Sequence, residues 1–137
     1  MNVRVSLLAI FVLSISSTCA HAQFDTVINF PENPESPNPS GFSGNSIGSF
    51  SEISSNTQLN VSDGGSIGFF FNAGASFYVL DTNIEVNISG GTVENGFNAN
   101  SGSTVNISGG TIGDFDARSG STVNICLLYT SPSPRDS

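Results

Sequence analysis

Between Ser46 and Ile125, apolar and polar residues alternate in short bursts, each bounded by glycine-rich corners, and the bursts recur. In "STVNIS", Ser103 to Ser108, the side chains of Val105 and Ile107 point one way and those of Thr104, Asn106 and Ser108 the other. That is the period of two of a strand with one buried face. Gly109 and Gly110 then supply a turn of the kind that favours residues without a Cβ. "TIGDFDA", Thr111 to Ala117, alternates again, with Phe115 and Ala117 inward and Asp114 and Asp116 outward, and "RSGS" makes a second corner. Downstream of the N-terminal segment no window spaces its apolar residues by three and four, so helix content is expected to be near zero.

Breaking the chain after each Gly-Gly pair gives four units: Ser46–Gly65, Ser66–Gly91, Thr92–Gly110 and Thr111–Ile125. The complete ones have 20, 26 and 19 residues. Apolar positions recur as Ile47, Ile67, Val93 and Ile112; as Phe50, Phe71, Phe97 and Phe115; as Leu59, Val86, Val105 and Val123; and as Val61, Ile88, Ile107 and Ile125. These sixteen residues are the expected repeat core. A single unit has too few inward residues to offset the entropy of ordering it, so the units must stack and cap one another. The expected fold is all-β, a parallel β-solenoid of about four coils, right-handed by the chirality of parallel crossovers and truncated at its C-terminal end. Asn60, Asn87, Asn106 and Asn124 would form a polar ladder outside it. A β-sandwich is the alternative, disfavoured by the similar unit lengths and recurrent ladder positions.

The chain opens with Arg4, an apolar run from Val5 to Ile15, and Ala20-His21-Ala22, the layout of a secretory signal peptide over residues 1–22. The apolar run is too short to span a bilayer. Cys19 leaves with the leader. Residues 23–30 alternate like a strand able to cap the first coil, and 31–45, containing "PENPESPNPS", read as an extended acidic linker. The second unit carries about seven extra residues near "YVLDTNI", read as a loop on one face or, equally, as a bulge or register adjustment.

Charge narrows the functional classes. Residues 23–125 hold ten carboxylates and one basic residue, Arg118, with no Cys, His, Lys or Trp. Such a surface repels phosphate backbones and anionic lipid, so neither nucleic acid nor membrane is an expected partner, and no span is expected in the mature chain. Disulfide stapling, zinc sites and nucleophilic triads lack their residues.

At "VNISGGTV" and "GSTVNISGGTIGDFDARSGSTVNI" the chain resembles repeat-rich secreted bacterial proteins of β-solenoid architecture, in which F-D-A-x-S-G-S-T-V-N-I-S-G-G units recur. The resemblance covers about Gln23 to Ile125 and implies an extracellular or cell-surface location, with no catalytic residues to carry over. "CLLYTSPSPRD", Cys126 to Asp136, resembles translated sequencing-adapter read-through, so residues 126–137 are expected to be non-native.

Asp114 and Asp116, two apart on a strand, are the best candidates for paired-carboxylate chemistry or a weak Ca²⁺ site. Position favours a solvated face instead, since Asp116 falls in a column with Asn98 and Asn72. The Ca²⁺-binding G-G-x-G-x-D repeat is not matched, because Ile112 stands where its third glycine belongs. Asn60, Asn87 and Asn106 match the N-glycosylation pattern as a by-product of the repeat. Phe69, Phe70 and Phe71 must turn at least one ring outward, either as a sugar-stacking or partner contact or, as the expected outcome, covered by the Tyr78 insertion. The expected role is structural, adhesive or matrix-forming, without catalysis or cofactor. Its partners would be an extracellular glycan or surface protein, or a second copy at the open solenoid end. A carbohydrate-binding or carbohydrate-cleaving solenoid using outward Asp and Phe is the alternative.

Overall fold

The computed structural model describes residues 24–75 and 80–126. The leader expected over residues 1–22, Tyr78 and most of the tail therefore lie outside the described residues. Among the described residues thirteen strands form three parallel sheets. The first sheet stacks β1 (Thr26–Phe30), β4 (Thr57–Val61), β7 (Ile84–Ile88), β10 (Ser103–Ile107) and β13 (Thr122–Ile125). The second stacks β2 (Ser46–Ile47), β5 (Ser66–Ile67), β8 (Thr92–Val93) and β11 (Thr111–Ile112). The third stacks β3 (Glu52–Ile53), β6 (Asn72–Ala73), β9 (Phe97–Ala99) and β12 (Phe115–Ala117). The chain visits the sheets in the same order in every coil. It is a parallel β-solenoid.

Register explains the repeat. Leu59 pairs with Val86, Val86 with Val105 and Val105 with Val123, while Val61, Ile88, Ile107 and Ile125 form the neighbouring column. Each inward column is a ladder of like side chains, and the buried ones are all but removed from water. Phe71, Phe97 and Phe115 stack inside the third sheet with centroids 5.2 and 5.1 Å apart. Outside the first sheet, the amide of Asn60 donates to Asn29 Oδ1 (3.0 Å), Asn87 to Asn60 (3.0 Å), Asn106 to Asn87 (2.8 Å) and Asn124 to Asn106 (2.8 Å). The asparagine ladder is thus one rung longer than the repeats suggest, beginning at Asn29 in β1.

Three columns of corners join the sheets, and each uses left-handed backbone. Before the first sheet stand Asn56 (φ 59°), Asn83 (φ 57°), Gly102 (φ 81°) and Gly120 (φ 85°). After it, Gly91 (φ 76°) turns so close to the previous coil that a Cβ would meet the carbonyl oxygens of Ser62 and Gly65. Only glycine fits there. The corner between the second and third sheets carries Phe50 (φ 60°), Phe70 (φ 55°) and Gly96 (φ 86°).

Several expectations need correction. Phe50 is not a core residue. β3 pairs Glu52 with Asn72 and Ile53 with Ala73, so Ser51 occupies the column of Phe71, and Phe50 lies one residue earlier, 78% exposed. A one-residue shift along a strand reverses the face to which a side chain points. Ile112, Phe115 and Val123 pack against the core as expected but are only half-buried, whereas Ile125 is 64% exposed. Ala117 is exposed, although its counterparts Ala99 and Ala73 are fully buried. All five belong to the last described coil, which no further described coil covers.

The Pro-rich segment 31–45 is a compact loop rather than an extended linker. The Asn38 side chain docks on the free edge of β1, its Oδ1 accepting from Asn29 N–H (2.7 Å) and its Nδ2 donating to Asn29 C=O (2.8 Å). Glu32 braces the loop by accepting from the backbone N–H groups of Asn38 (3.0 Å) and Gly44 (2.8 Å). Phe42 packs against the core beside it. One amide thereby satisfies both backbone groups of Asn29 on the free edge of β1, covering part of an edge that would otherwise template pairing.

The ladder makes a testable demand on donor chemistry. Asn87→Asp removes the N–H pair that serves Asn60 and Glu85 and turns lone pairs toward both acceptors. It should lower unfolding free energy at neutral pH by about 1–3 kcal/mol in chemical denaturation, the cost of a lost and unsatisfied polar partnership. An unchanged midpoint would mean that the ladder contributes nothing.

Candidate functional site

The two acids singled out by sequence occupy different surroundings. Asp116 sits within β12, in register with Asn98 and through it with Asn72. Its Oδ2 accepts from Arg118 Nε at 3.3 Å, and the same guanidinium donates to Asn98 Oδ1 at 3.1 Å. Asp114 precedes the strand, in a corner one residue shorter than its counterparts. Its N–H donates to Asn95 Oδ1 (3.1 Å), and its carbonyl accepts from Gly96 and Phe97. Both carboxylates are exposed, and an exposed ion pair such as Asp116–Arg118 contributes little to stability. Asp114 and Asp116 are therefore not two residues of one strand. Among the described residues no three His, Cys, Asp or Glu side chains gather where they could hold a metal ion.

The asparagines of the glycosylation pattern are committed elsewhere. The amides of Asn60, Asn87 and Asn106 each donate to one neighbouring coil and accept from the other. A glycan on any of them would take one of the two N–H groups of an amide that the ladder uses.

Asp81 is a buried acid that the sequence gives no reason to single out. It follows the insertion of the second coil and is only 6% exposed. Its Oδ1 accepts from the Ser55 hydroxyl (2.7 Å) and Ser55 N–H (3.2 Å), and its Oδ2 from Ala75 N–H (2.6 Å). Ser55 Oγ in turn accepts from Thr82 N–H at 3.1 Å. Burial by itself would raise the carboxyl's pKa, but the bonds from the Ser55 hydroxyl and from the Ala75 and Ser55 backbone together hold it below its ordinary value. Asp81 pins both ends of the inserted segment to the preceding coil. Its role is structural.

The aromatic run divides. Phe71 is fully buried, whereas Phe69 and Phe70 face outward and are 44% and 54% exposed, so the outward rings are not covered as expected. Phe70 stacks on Phe50, one coil away, with centroids 5.1 Å apart and ring planes 20° from parallel. Reading Phe50 against Phe71 by residue type conceals this pair. Counting does not: Ile47 to Phe50 and Ile67 to Phe70 are both three steps. A recess of about 150 Å³ opens at the N-terminal end between Phe42, Ile28, Ile53 and Glu52, and Glu52 is its one titratable group.

Fold and surface together define a parallel β-solenoid whose recurrent polar side chains bind one coil to the next, with an exposed phenylalanine pair at one corner. No family model, curated protein or solved structure matches the chain.

The Asp81 contacts predict a pH dependence with a definite sign. A carboxyl with a depressed folded pKa lends stability that is fully present above its unfolded value, about 4, and is lost as pH falls through the folded value. Asp81→Asn should therefore cost stability throughout the neutral range, and the gap between variant and parent should narrow below about pH 4. Denaturation midpoints measured across pH check this, and a gap that widens on acidification would contradict it.

Proposed function

We propose that the chain is a non-enzymatic β-solenoid of the cell surface or extracellular space, serving a structural, adhesive or matrix role. One observation carries the reading: the side chains that repeat from coil to coil are consumed in stacking. The inward columns form the core, and the outward asparagines bond to their own counterparts one coil away. A repeat of this kind builds length, surface and resistance to unfolding, since each coil is stabilised by its neighbours. The strong negative charge keeps such a surface soluble and draws cations and basic groups toward it. The leader-like residues 1–22 and the resemblance to secreted repeat proteins support export.

A carbohydrate-cleaving role would fall to Asp114 and Asp116, and Asp116 is already engaged with Arg118. A carbohydrate-binding role would fall to the outward phenylalanines.

Expression of the whole chain with its own leader, followed by mass analysis of exported material and polysaccharide hydrolysis assays, tests the proposal. The expected product starts at Gln23, is found outside the cytoplasm and shows no turnover. Retention in the cytoplasm, or turnover abolished by Asp114→Asn, would overturn it.

A further inference from the structure

Phe50 and Phe70 hold a conformation that bulky residues avoid. Both lie in the left-handed region, at φ 60° and 55°, where the next coil places Gly96 at φ 86°. A side chain bearing a Cβ is strained there, and such strain tends to persist where function requires it. Neither ring repays the strain by burial, since they are 78% and 54% exposed. Asn56 and Asn83 show what an unremarkable left-handed corner uses.

The rings instead make an ordered stack along the solenoid. Gly96 forms its base, because a Cβ there would stand 2.9 Å from Phe70 Cδ1. Phe70 covers Gly96, and Phe50 lies over Phe70 at 5.1 Å. The far face of Phe50 is left to solvent. Phe69, whose carbonyl accepts from Phe50 N–H at 2.7 Å, is a third exposed phenylalanine at this corner. Three acids lie in the chain segments of this corner: Glu52 is two residues beyond Phe50, Glu94 is two before Gly96, and Asp114, whose carbonyl accepts from Gly96 N–H, lies one coil further on. The described residues hold ten carboxylates, and their one arginine, Arg118, is bonded to Asp116 and Asn98.

We propose that the open face of the Phe50–Phe70 stack is a docking site for an arginine side chain of a basic partner protein. A planar guanidinium continues an aromatic stack face to face while its N–H fork reaches carboxylates, a combination that a lysine ammonium cannot reproduce. The acidic field selects for a cationic partner and against a second copy of this chain. The site goes beyond the architectural reading above and stands or falls independently of it.

Calorimetric titration of the whole chain with an arginine-containing peptide, its lysine counterpart of equal charge and a neutral oligosaccharide tests the site. The arginine peptide should bind more tightly than the lysine peptide. Phe50→Gly should weaken arginine binding about tenfold, the equilibrium equivalent of a partly desolvated cation–π contact, and should erase the preference over lysine. Its thermal midpoint should not fall greatly, because glycine accepts the left-handed corner; Phe70→Asn, also tolerant of that backbone, is the second variant. Equal binding of both peptides, untouched by either substitution, would reduce the attraction to general charge and overturn the site. Phenylalanine-dependent binding of the oligosaccharide without binding of the arginine peptide would overturn it as well.

Discussion

In-register parallel pairing between coils is the interaction on which everything else rests. A coil of this chain has no second layer of its own to bury against. Its apolar columns become a core only when Leu59 lies under Val86, Val86 under Val105, and Phe71 under Phe97. The same register places asparagine over asparagine on the outside, so a backbone constraint generates both the dry ladder and the polar one. Shifting one coil by a single residue would turn both inside out. That dependence explains why the insertion in the second coil is tied down by a buried acid: Asp81 holds Ser55 and Ala75 so that β7 re-enters at the position the ladder requires.

The two ends of the stack are treated differently. At the first strand, the loop 31–45 folds back and satisfies β1 with the Asn38 amide, held in place by Glu32. At the last described strand, Ile125 remains exposed and no described residue pairs beyond it. Along the sides, the corners are occupied by glycine and asparagine wherever the left-handed backbone is only a means of turning. Phe50 and Phe70 are the exception, and their strain coincides with the most exposed aromatic surface of the described residues.

The fold was largely legible because a solenoid writes its register into the sequence as recurrence. Val105 and Ile107, alternating with Asn106 and followed by paired glycines, disclose a strand and a corner, and their recurrence at Val86 and Ile88 discloses the stacking. What was misread depended on where a residue sits rather than on what it is. Phe50 matches Phe71 by type but Phe70 by position, and only the position decides which face it occupies. The loop 31–45 has the composition of a linker, yet one amide nine residues from its partner on β1 gives it a fixed place. Asp81 was indistinguishable from nine other acids, because its burial depends on Ser55, 26 residues earlier in the chain. Local pattern carries neighbour relations within a coil; these three depend on partners that only the closed coil brings together.

The claim that the coils stack in parallel and in register is tested most directly by inter-strand nuclear Overhauser contacts in the isotopically labelled protein. Methyl and Hα contacts should link Leu59, Val86 and Val105 in series, and Val61, Ile88 and Ile107 in a parallel series, across segments far apart in sequence. Contacts instead joining each strand to its sequence neighbour in an antiparallel hairpin, such as Val61 to Ile67, would contradict it.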